Sequence, residues 1–338
     1  MIKQKALTPK STNLQIVLPA LRRELSVIGG LLLCGAMAPA LVASENVPHR
    51  PFAQWADVPE RGQFLVGLVY EESEAYHIWA GHDYHNVTVQ SGGENYGIDI
   101  NQGYVAAQYG ITEKWALDIN LGATTMGSRF FDNGEVQSTT GMMDTSFGVR
   151  YQVCHEAEDD SSGTPTLTLR AGGVVPGTFN GHLAFAPGTR SAAIEPEVLL
   201  RKHFGWPGLG VYADGLFRWN RTTANDQYIT VIGFFQQIQR WELDVGYRHL
   251  QTVTGKDIVL NPDHTIEYPR SVRENSDSIE AGFSYTTSKR HIRYGFHSRT
   301  VFDGSNTDSK FWVGGSVDFP FGGHKATDPA DRDFSPRF

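Results

Sequence analysis

Apolar and polar residues alternate along most of the chain between Gly62 and Phe319. In the segment 115–122 the odd positions are apolar, whereas the even positions are small or polar, Asp118 and Asn120 among them. A period of two is the side-chain period of a β-strand. The pattern predicts an all-β fold with twelve strands, although ten or fourteen stay open, since a further hairpin could lie in 73–94. The predicted strands are 62–72, 95–110, 113–125, 142–153, 164–175, 192–204, 208–219, 227–238, 240–251, 277–287, 290–301 and 310–320.

The connections between these strands alternate in length. Several predicted strands have about 10–13 residues, more than the 5–6 of soluble sheets and enough for a tilted strand to cross a bilayer. Outer-membrane barrels combine short periplasmic turns, long external loops and an even number of strands. The alternation of long and short connections between twelve strands therefore predicts an antiparallel transmembrane outer-membrane β-barrel with both ends of the barrel chain in the periplasm. The long connections are 73–94, 126–141, 176–191, 220–226, 252–276 and 302–309, and the short ones are 111–112, 205–207, 239 and 288–289, with 154–163 as the exception.

Arginine and carboxylate residues share one face of the predicted strands. In a membrane barrel the apolar face meets lipid and the polar face lines the lumen. The planar guanidinium group can bridge two carboxylates at once, so we predict ladders of ion pairs that line the lumen and select solutes. The predicted lumen residues are Asp118, Asp144, Arg150, Arg170, Glu195, Glu197, Arg201, Asp214, Arg218, Arg240, Glu242, Asp244, Arg248, Glu280, Arg293 and Arg299.

Two strands depart from this pattern. The strand 227–238 is apolar on both faces, so one apolar set must face the lumen, and we predict an apolar lumen patch of Tyr228, Ile232 and Phe234. The strand 95–110 changes the phase of its apolar residues, which predicts a β-bulge at Gly103. Both features would suit an apolar cargo.

The two ends of the chain have their own predicted roles. A basic leader is followed by an apolar run that glycines and Pro39 interrupt, which predicts a signal peptide at 1–43 and export to the outer membrane. The segment 44–61 carries Trp55 and either folds into the lumen as a plug or leads in from the periplasm. The barrel spans 62–321. Its last strand resembles the assembly signal that the barrel-insertion machinery reads, although the tail 322–338 follows it.

Charge and cysteine content narrow the function further. The leader holds five basic residues and one acidic residue, so its removal leaves 24 basic and 36 acidic residues and a net charge of −12. Nucleic acid as a partner requires a basic surface, which this chain lacks. Only Cys154 remains after cleavage of the leader, so no intramolecular disulfide can form.

Two groups of residues suggest other chemistry. His77, His82, Asp83 and His85 have a spacing that metal ligands use, but polar external loops carry such residues more often without a metal. Ser91 lies near these histidines, which keeps an outer-membrane lipid hydrolase open as an alternative. No ordered Ser–His pair lies on one strand face, so we expect no catalytic residue, cofactor or metal.

The chain resembles a family of outer-membrane proteins of the meta-pathway of phenol degradation. The resemblance covers roughly Gly62 to Phe321, and the segments that carry it are YGITEKWALDINLG, MDTSFGVRYQV, LRAGGVVPG, EPEVLLRKHF, GLGVYADGLFRWN and RWELDVGYRH. It implies a role in moving hydrophobic or aromatic compounds across the outer membrane. We therefore predict a monomeric barrel, embedded in outer-membrane lipid, that acts as a channel or transporter for a small-molecule solute. The alternatives are the lipid hydrolase and a structural barrel whose loops bind a partner.

Overall fold

Twelve antiparallel strands close on themselves to form a barrel, which confirms the predicted fold class. The computed structural model describes residues 55–87, 89–91, 94–129, 136–156, 163–204, 208–221, 224–261, 266–269 and 271–322. The barrel strands are β1 Phe64–Ala80, β2 Ile98–Gly110, β3 Trp115–Arg129, β4 in two halves, Val136–Met142 and Thr145–Cys154, β5 Thr166–Val175, β6 Ala193–His203, β7 Leu209–Asn220, β8 Gln227–Ile238, β9 Trp241–Thr252, β10 Asn275–Thr286, β11 Arg293–Ser305 and β12 Asp308–Phe321.

Each strand pairs with the next strand along the chain, and β12 returns to pair with β1. The closing register runs from Phe64 opposite Phe321 to Ala75 opposite Lys310. Closure leaves the barrel without an open edge strand, as a bilayer requires. Within the described residues, no helix is long and apolar enough to cross a membrane.

The two ends of the barrel differ in the length of their connections. At one end, here called the short-turn end, β1 begins, β12 ends, and the connections are 111–114, 155–165, 204–208, 239–240 and 287–292. At the opposite long-loop end they are 81–97, 130–135, 176–192, 221–226, 253–274 and 306–307. The long-loop end corresponds to the cell exterior in outer-membrane barrels.

The outer surface of the barrel is apolar and aromatic. Leucine, isoleucine, valine and phenylalanine side chains stay exposed on it, as lipid contact requires. Aromatic pairs gather at the short-turn end, where Trp115 lies 4.7 Å from Tyr151 and Trp241 lies 4.8 Å from Tyr285, centroid to centroid. Such rings suit the interface between lipid and water.

Several predicted boundaries were wrong in detail. Strand β1 continues to Ala80, and only Asn306 and Thr307 separate β11 from β12, although 302–309 was predicted as a long loop. The predicted bulge at Gly103 is also wrong, because the register runs through this residue without a shift on both sides. Ile98 and Ile100 simply face inward together with Tyr104, so the polarity of the inner face changes while the strand phase does not.

An irregularity does occur in β4. Ala123 lies opposite Met142 and Asn120 opposite Ser146, so the pairing with β3 shifts by one residue around Met143 and Asp144. Both of these side chains are buried. The predicted signal peptide 1–43, residues 44–54 of the predicted plug and 323–338 of the tail lie outside the described residues.

Candidate functional site

An arginine on the inner wall of the barrel joins carboxylates that lie on both sides of it. The Arg170 Nη2 atom lies 2.8 Å from Asp118, and Nη1 lies 3.4 Å from Glu195 and 3.2 Å from Glu197. Arg218 donates from Nε to Glu195 at 2.8 Å. All five side chains are buried. This network connects β3, β5, β6 and β7 across the inner wall.

Glycines let the Arg170 side chain lie flat on the wall. A Cβ atom at Gly148 would lie 2.7 Å from Arg170 Nε, and one at Gly172 would lie 2.5 Å from Nη1. Asp118, Gly148 and Gly172 stand opposite one another on β3, β4 and β5. The missing side chains on two strands thus make room for the guanidinium group to reach a carboxylate on the third.

Smaller sets of polar contacts lie on the opposite side of the lumen. Arg293 Nη2 lies 3.3 Å from Glu242. Glu71 accepts a hydrogen bond from Tyr104 at 2.7 Å, and it lies 3.1 Å from His297 Nε2. The role of Glu71 was not recognised in the sequence, although its alternation with Tyr70 and Glu72 would have placed it on the inner face.

The predicted lumen residues fall into two groups by burial. Fourteen of the sixteen are buried within the barrel, whereas Arg240 and Asp244 are half-buried. Arg240 belongs to the turn between β8 and β9, and Arg299 lies 4.4 Å above the Trp312 ring. The role of all sixteen residues in solute selection stays a prediction. The buried ones are Asp118, Asp144, Arg150, Arg170, Glu195, Glu197, Arg201, Asp214, Arg218, Glu242, Arg248, Glu280, Arg293 and Arg299.

The predicted apolar lumen patch was assigned to the wrong face. Tyr228, Ile232 and Phe234 lie on the outer surface, where they are 50%, 61% and 56% exposed, and the alternate set Ile229, Val231 and Phe235 is buried inside. The physical reason is register, because Val231 lies directly opposite Asp214 and Arg248. Cross-strand neighbours share a face, so the charged partners of Val231 fix it on the lumen side.

An apolar cluster fills part of the lumen near the short-turn end. We call it the inner cluster; its members are Trp55, Ala56, Leu199, Tyr212, Val231 and Phe235. Trp55 and Ala56 precede the first strand, yet both are buried against the inner wall. Tyr212 packs edge-on against Trp55 with centroids 5.8 Å apart. The chain therefore enters the barrel lumen before it forms β1.

Polar wall residues hold this entering segment in place. Arg150 donates a hydrogen bond to the carbonyl oxygen of Trp55, and Thr168 donates one to that of Ala56. Arg201 pairs with Asp57, whose other oxygen lies 3.5 Å from His155 Nδ1. Burial raises the pKa of the Asp57 carboxyl, but Arg201 and His155 outweigh burial, so the pKa lies below its ordinary value. Asp57 is therefore an anion at neutral pH.

A larger apolar cluster lies at the long-loop end. Its wall residues come from β1, β2, β3, β11 and β12, and its remaining residues come from the connections 81–97, 176–192 and 253–274. We call it the mouth cluster; it comprises Ala75, Ile78, Trp79, Ala80, Val87, Ile98, Ile100, Met126, Ala184, Phe185, Ile258, Val301 and Trp312, with Leu260, Ile266, Tyr268 and Val272 packed against it. The external connections thus fold inward and bury apolar side chains over the lumen.

Two polar residues fasten these inward-folded connections. Asn306 accepts hydrogen bonds from the backbone N–H groups of Gly81 at 2.9 Å and Ile258 at 2.7 Å. Asp144 accepts them from Gly177 at 2.7 Å and Arg190 at 3.0 Å, one at each end of the connection 176–192. Asp144 was predicted to line the lumen, which stays a prediction, and its contacts in addition hold both ends of this connection.

The sequence also suggested a metal site among the histidines of 77–85 and a hydrolase serine at Ser91. His77 stacks on Tyr84 with centroids 4.9 Å apart. Across the described ranges, no three His, Cys, Asp or Glu side chains are grouped so that they could hold a metal ion. The side chain of Ser91, on which the lipid-hydrolase alternative depends, lies outside the described part of the chain.

A closed antiparallel barrel with an apolar outer surface and a charged lumen defines an integral protein of the bacterial outer membrane. Residues 99–307 match the family described as "Putative MetA-pathway of phenol degradation", and the chain belongs to this family. The resemblance noted in the sequence is thereby confirmed. No curated protein matches the chain.

One solved structure shows the same architecture at low sequence identity, and two others match more weakly. The COG4313 outer membrane channel from Pseudomonas putida F1 matches with a TM-score of 0.62 and 12% identity, over 79% of this chain and 98% of that one. The translocator domain of autotransporter NalP from Neisseria meningitidis has a TM-score of 0.41 and 10% identity, over 92% of this chain and 100% of that one. The Pseudomonas putida toluene transporter TodX has a TM-score of 0.39 and 10% identity, over 85% and 97%. Only the first likeness bears on the fold.

Proposed function

We propose that this barrel carries small hydrophobic or aromatic compounds across the outer membrane. The observation that supports the proposal most is the mouth cluster, because a charged lumen is covered by apolar side chains at the end where an external solute arrives. An apolar solute gains from burial among such side chains, whereas an ion would lose its hydration there. The family description and the channel named in the first structural match agree with this function.

The N-terminal segment takes part in the proposal as a plug. Trp55, Ala56 and Asp57 contact the inner wall through Arg150, Thr168 and Arg201 near the short-turn end. A segment held there narrows the lumen opposite the mouth, so that a solute would pass the mouth cluster first and the inner cluster second. Neither step requires a catalytic residue or a cofactor.

Uptake by cells tests this function. Gram-negative cells that produce the protein should take up radiolabelled toluene and phenol faster than cells that lack it, with unchanged uptake of glucose. Phe185→Ala removes a buried ring from the mouth cluster and should slow aromatic uptake. His182→Ala is the matched control, because His182 is exposed on the same connection. Equal uptake of the aromatic compounds with and without the protein would refute the proposal.

A further inference from the structure

A cleft lies at the long-loop end between the connections 176–192 and 253–274. It contains roughly 680 Å³ of empty space, including the part that opens to solvent. Leu183, Phe185, Tyr268 and Val272 form its apolar walls. The cleft adjoins the mouth cluster. Phe185 belongs to that cluster, and Tyr268 and Val272 pack against it.

The aromatic walls of the cleft favour a planar ligand. The rings of Phe185 and Tyr268 meet at 64° with centroids 5.3 Å apart. Two rings set at an angle present one face and one edge, and a third ring can pack against either. Burial and the Glu274 carboxylate raise the pKa of Tyr268, so its side chain stays neutral at physiological pH.

One polar atom in the cleft is buried without a partner. Gln227 is 6% exposed, and its Oε1 atom accepts no hydrogen bond from any residue that the structure describes. Its cross-strand neighbours are engaged elsewhere, because Arg218 donates to Glu195 and Thr252 donates to the carbonyl oxygen of Glu274. A buried acceptor without a donor is costly, so a ligand that supplies a donor would be favoured here.

The charges around the cleft oppose an anionic ligand. Lys310 lines the cleft, but its ammonium group pairs with Asp308. Glu274 also lines the cleft, and its carboxylate accepts a hydrogen bond from Thr307 at 2.9 Å. An anion would therefore meet a carboxylate beside a lysine whose charge is already neutralised. A neutral ligand avoids this repulsion.

We infer that this cleft is a binding site for a small neutral aromatic molecule that carries a hydroxyl group. The ring lies against Phe185 and Tyr268, and the hydroxyl group donates to Gln227 Oε1. The inference rests on the proposed function, since it places the first contact of the solute at the mouth of the barrel.

Binding to the purified, full-length barrel in lipid nanodiscs tests the site. The probes are phenol, toluene and benzoate at pH 7, which present a hydroxyl group, no polar group and a negative charge on similar rings. Ligand-observed NMR titrations should rank phenol as the tightest ligand and benzoate as the weakest. Benzoate binding as tight as phenol binding would overturn the inference.

Gln227→Leu removes the acceptor and keeps much of the side-chain volume. It should weaken phenol binding by about threefold to tenfold, the value of one neutral hydrogen bond, and leave toluene binding unchanged. Gln237→Leu is the matched control, because Gln237 is buried on the same face of β8 at the short-turn end. It should leave the binding of every probe unchanged. Unaltered phenol affinity in folded Gln227→Leu would overturn the site.

A second variant keeps the test valid if Gln227→Leu does not fold. Phe185→Ala should weaken phenol and toluene binding alike, and undiminished binding of both would contradict the site. Uptake separates this inference from the proposed function. Barrel-dependent uptake combined with Gln227-independent binding would refute the cleft and leave the function standing. Gln227-dependent binding without barrel-dependent uptake would support the cleft and refute the function.

Discussion

Arg170 shows how single residues organise the lumen. Its guanidinium group contacts three carboxylates, and it can reach Asp118 only because Gly148 and Gly172 carry no side chain beneath it. The network is almost completely shielded, with 2% exposure of each of its charged side chains. Buried carboxylates need such a partner, because an unpaired charge in a low-dielectric interior is very costly.

Removal of this arginine should strongly destabilise the barrel. Arg170→Ala leaves Asp118, Glu195 and Glu197 close together, with Arg218 as the remaining cation of the network, and we expect a loss of about 3–5 kcal/mol in the free energy of unfolding. Urea titration of the protein refolded in lipid vesicles measures it.

Arg273→Ala is the control for this loss. Arg273 pairs with Asp257 at 2.8 Å on an exposed loop, where both side chains are about half exposed. Its replacement should cost only about 0–1 kcal/mol. Equal effects of the two substitutions would show that the lumen network does not stabilise the barrel.

Neighbouring residues of β8 face opposite environments. Val231 is 2% exposed and Ile232 is 61% exposed, although both are β-branched and apolar. If lipid covers the outer surface, Ile232→Arg at the middle of the strand should cost about 2–4 kcal/mol, and Ile238→Arg at the short-turn end about 0–1 kcal/mol. The same urea titration compares the two variants. Equal costs at both depths would contradict the assigned membrane position.

At the scale of whole strands, alternation predicted most of the fold. Polar and apolar faces of β3, β6, β7 and β9 differ clearly, so parity alone assigned inward positions to residues such as Asp118 and Arg248. Parity could not orient β8, since both of its faces are apolar. The two-residue turn 239–240 held the answer, because it pairs Ile238 with Trp241 and hence Val231 with Arg248.

The connections could not be predicted in the same way. Phe179 and Phe185 lie in a segment without periodicity, so nothing in the sequence indicated that the connection 176–192 folds inward and buries both rings. Its position depends on contacts with residues distant in sequence, namely the backbone bonds to Asp144 and the packing against Tyr268. Long-range contacts of this kind leave no local pattern.

Asp144 should control how readily this connection opens. Asp144→Ala removes the acceptor of the Gly177 and Arg190 N–H groups, and hydrogen bonds to charged groups contribute about 1.5–3 kcal/mol each. We expect faster hydrogen exchange throughout 176–192, measured by mass spectrometry.

Asp226→Ala is the matched control. Asp226 lies in the connection 221–226 and accepts a hydrogen bond from the backbone N–H of Asn220 at 2.9 Å. It should increase exchange there and leave 176–192 protected. Unchanged exchange of 176–192 in Asp144→Ala would show that Asp144 does not fasten the connection.

At the scale of the whole molecule, a charged lumen lies between two apolar clusters. The mouth cluster lies at the long-loop end, and the inner cluster, which includes Trp55, lies against the inner wall near the short-turn end. A continuous water-filled pore would let ions pass freely, whereas apolar constrictions oppose ions and admit apolar solutes. The account therefore depends on closure of the lumen at both ends.

Conductance of the folded protein in a planar lipid bilayer tests this closure most directly. The full-length barrel should show little steady ion current. A barrel that lacks 44–61 and also carries Asp144→Ala should show steady, stepwise conductance, because both closures are released. A large, steady current through the unaltered protein, or a current that the two changes do not increase, would contradict the account.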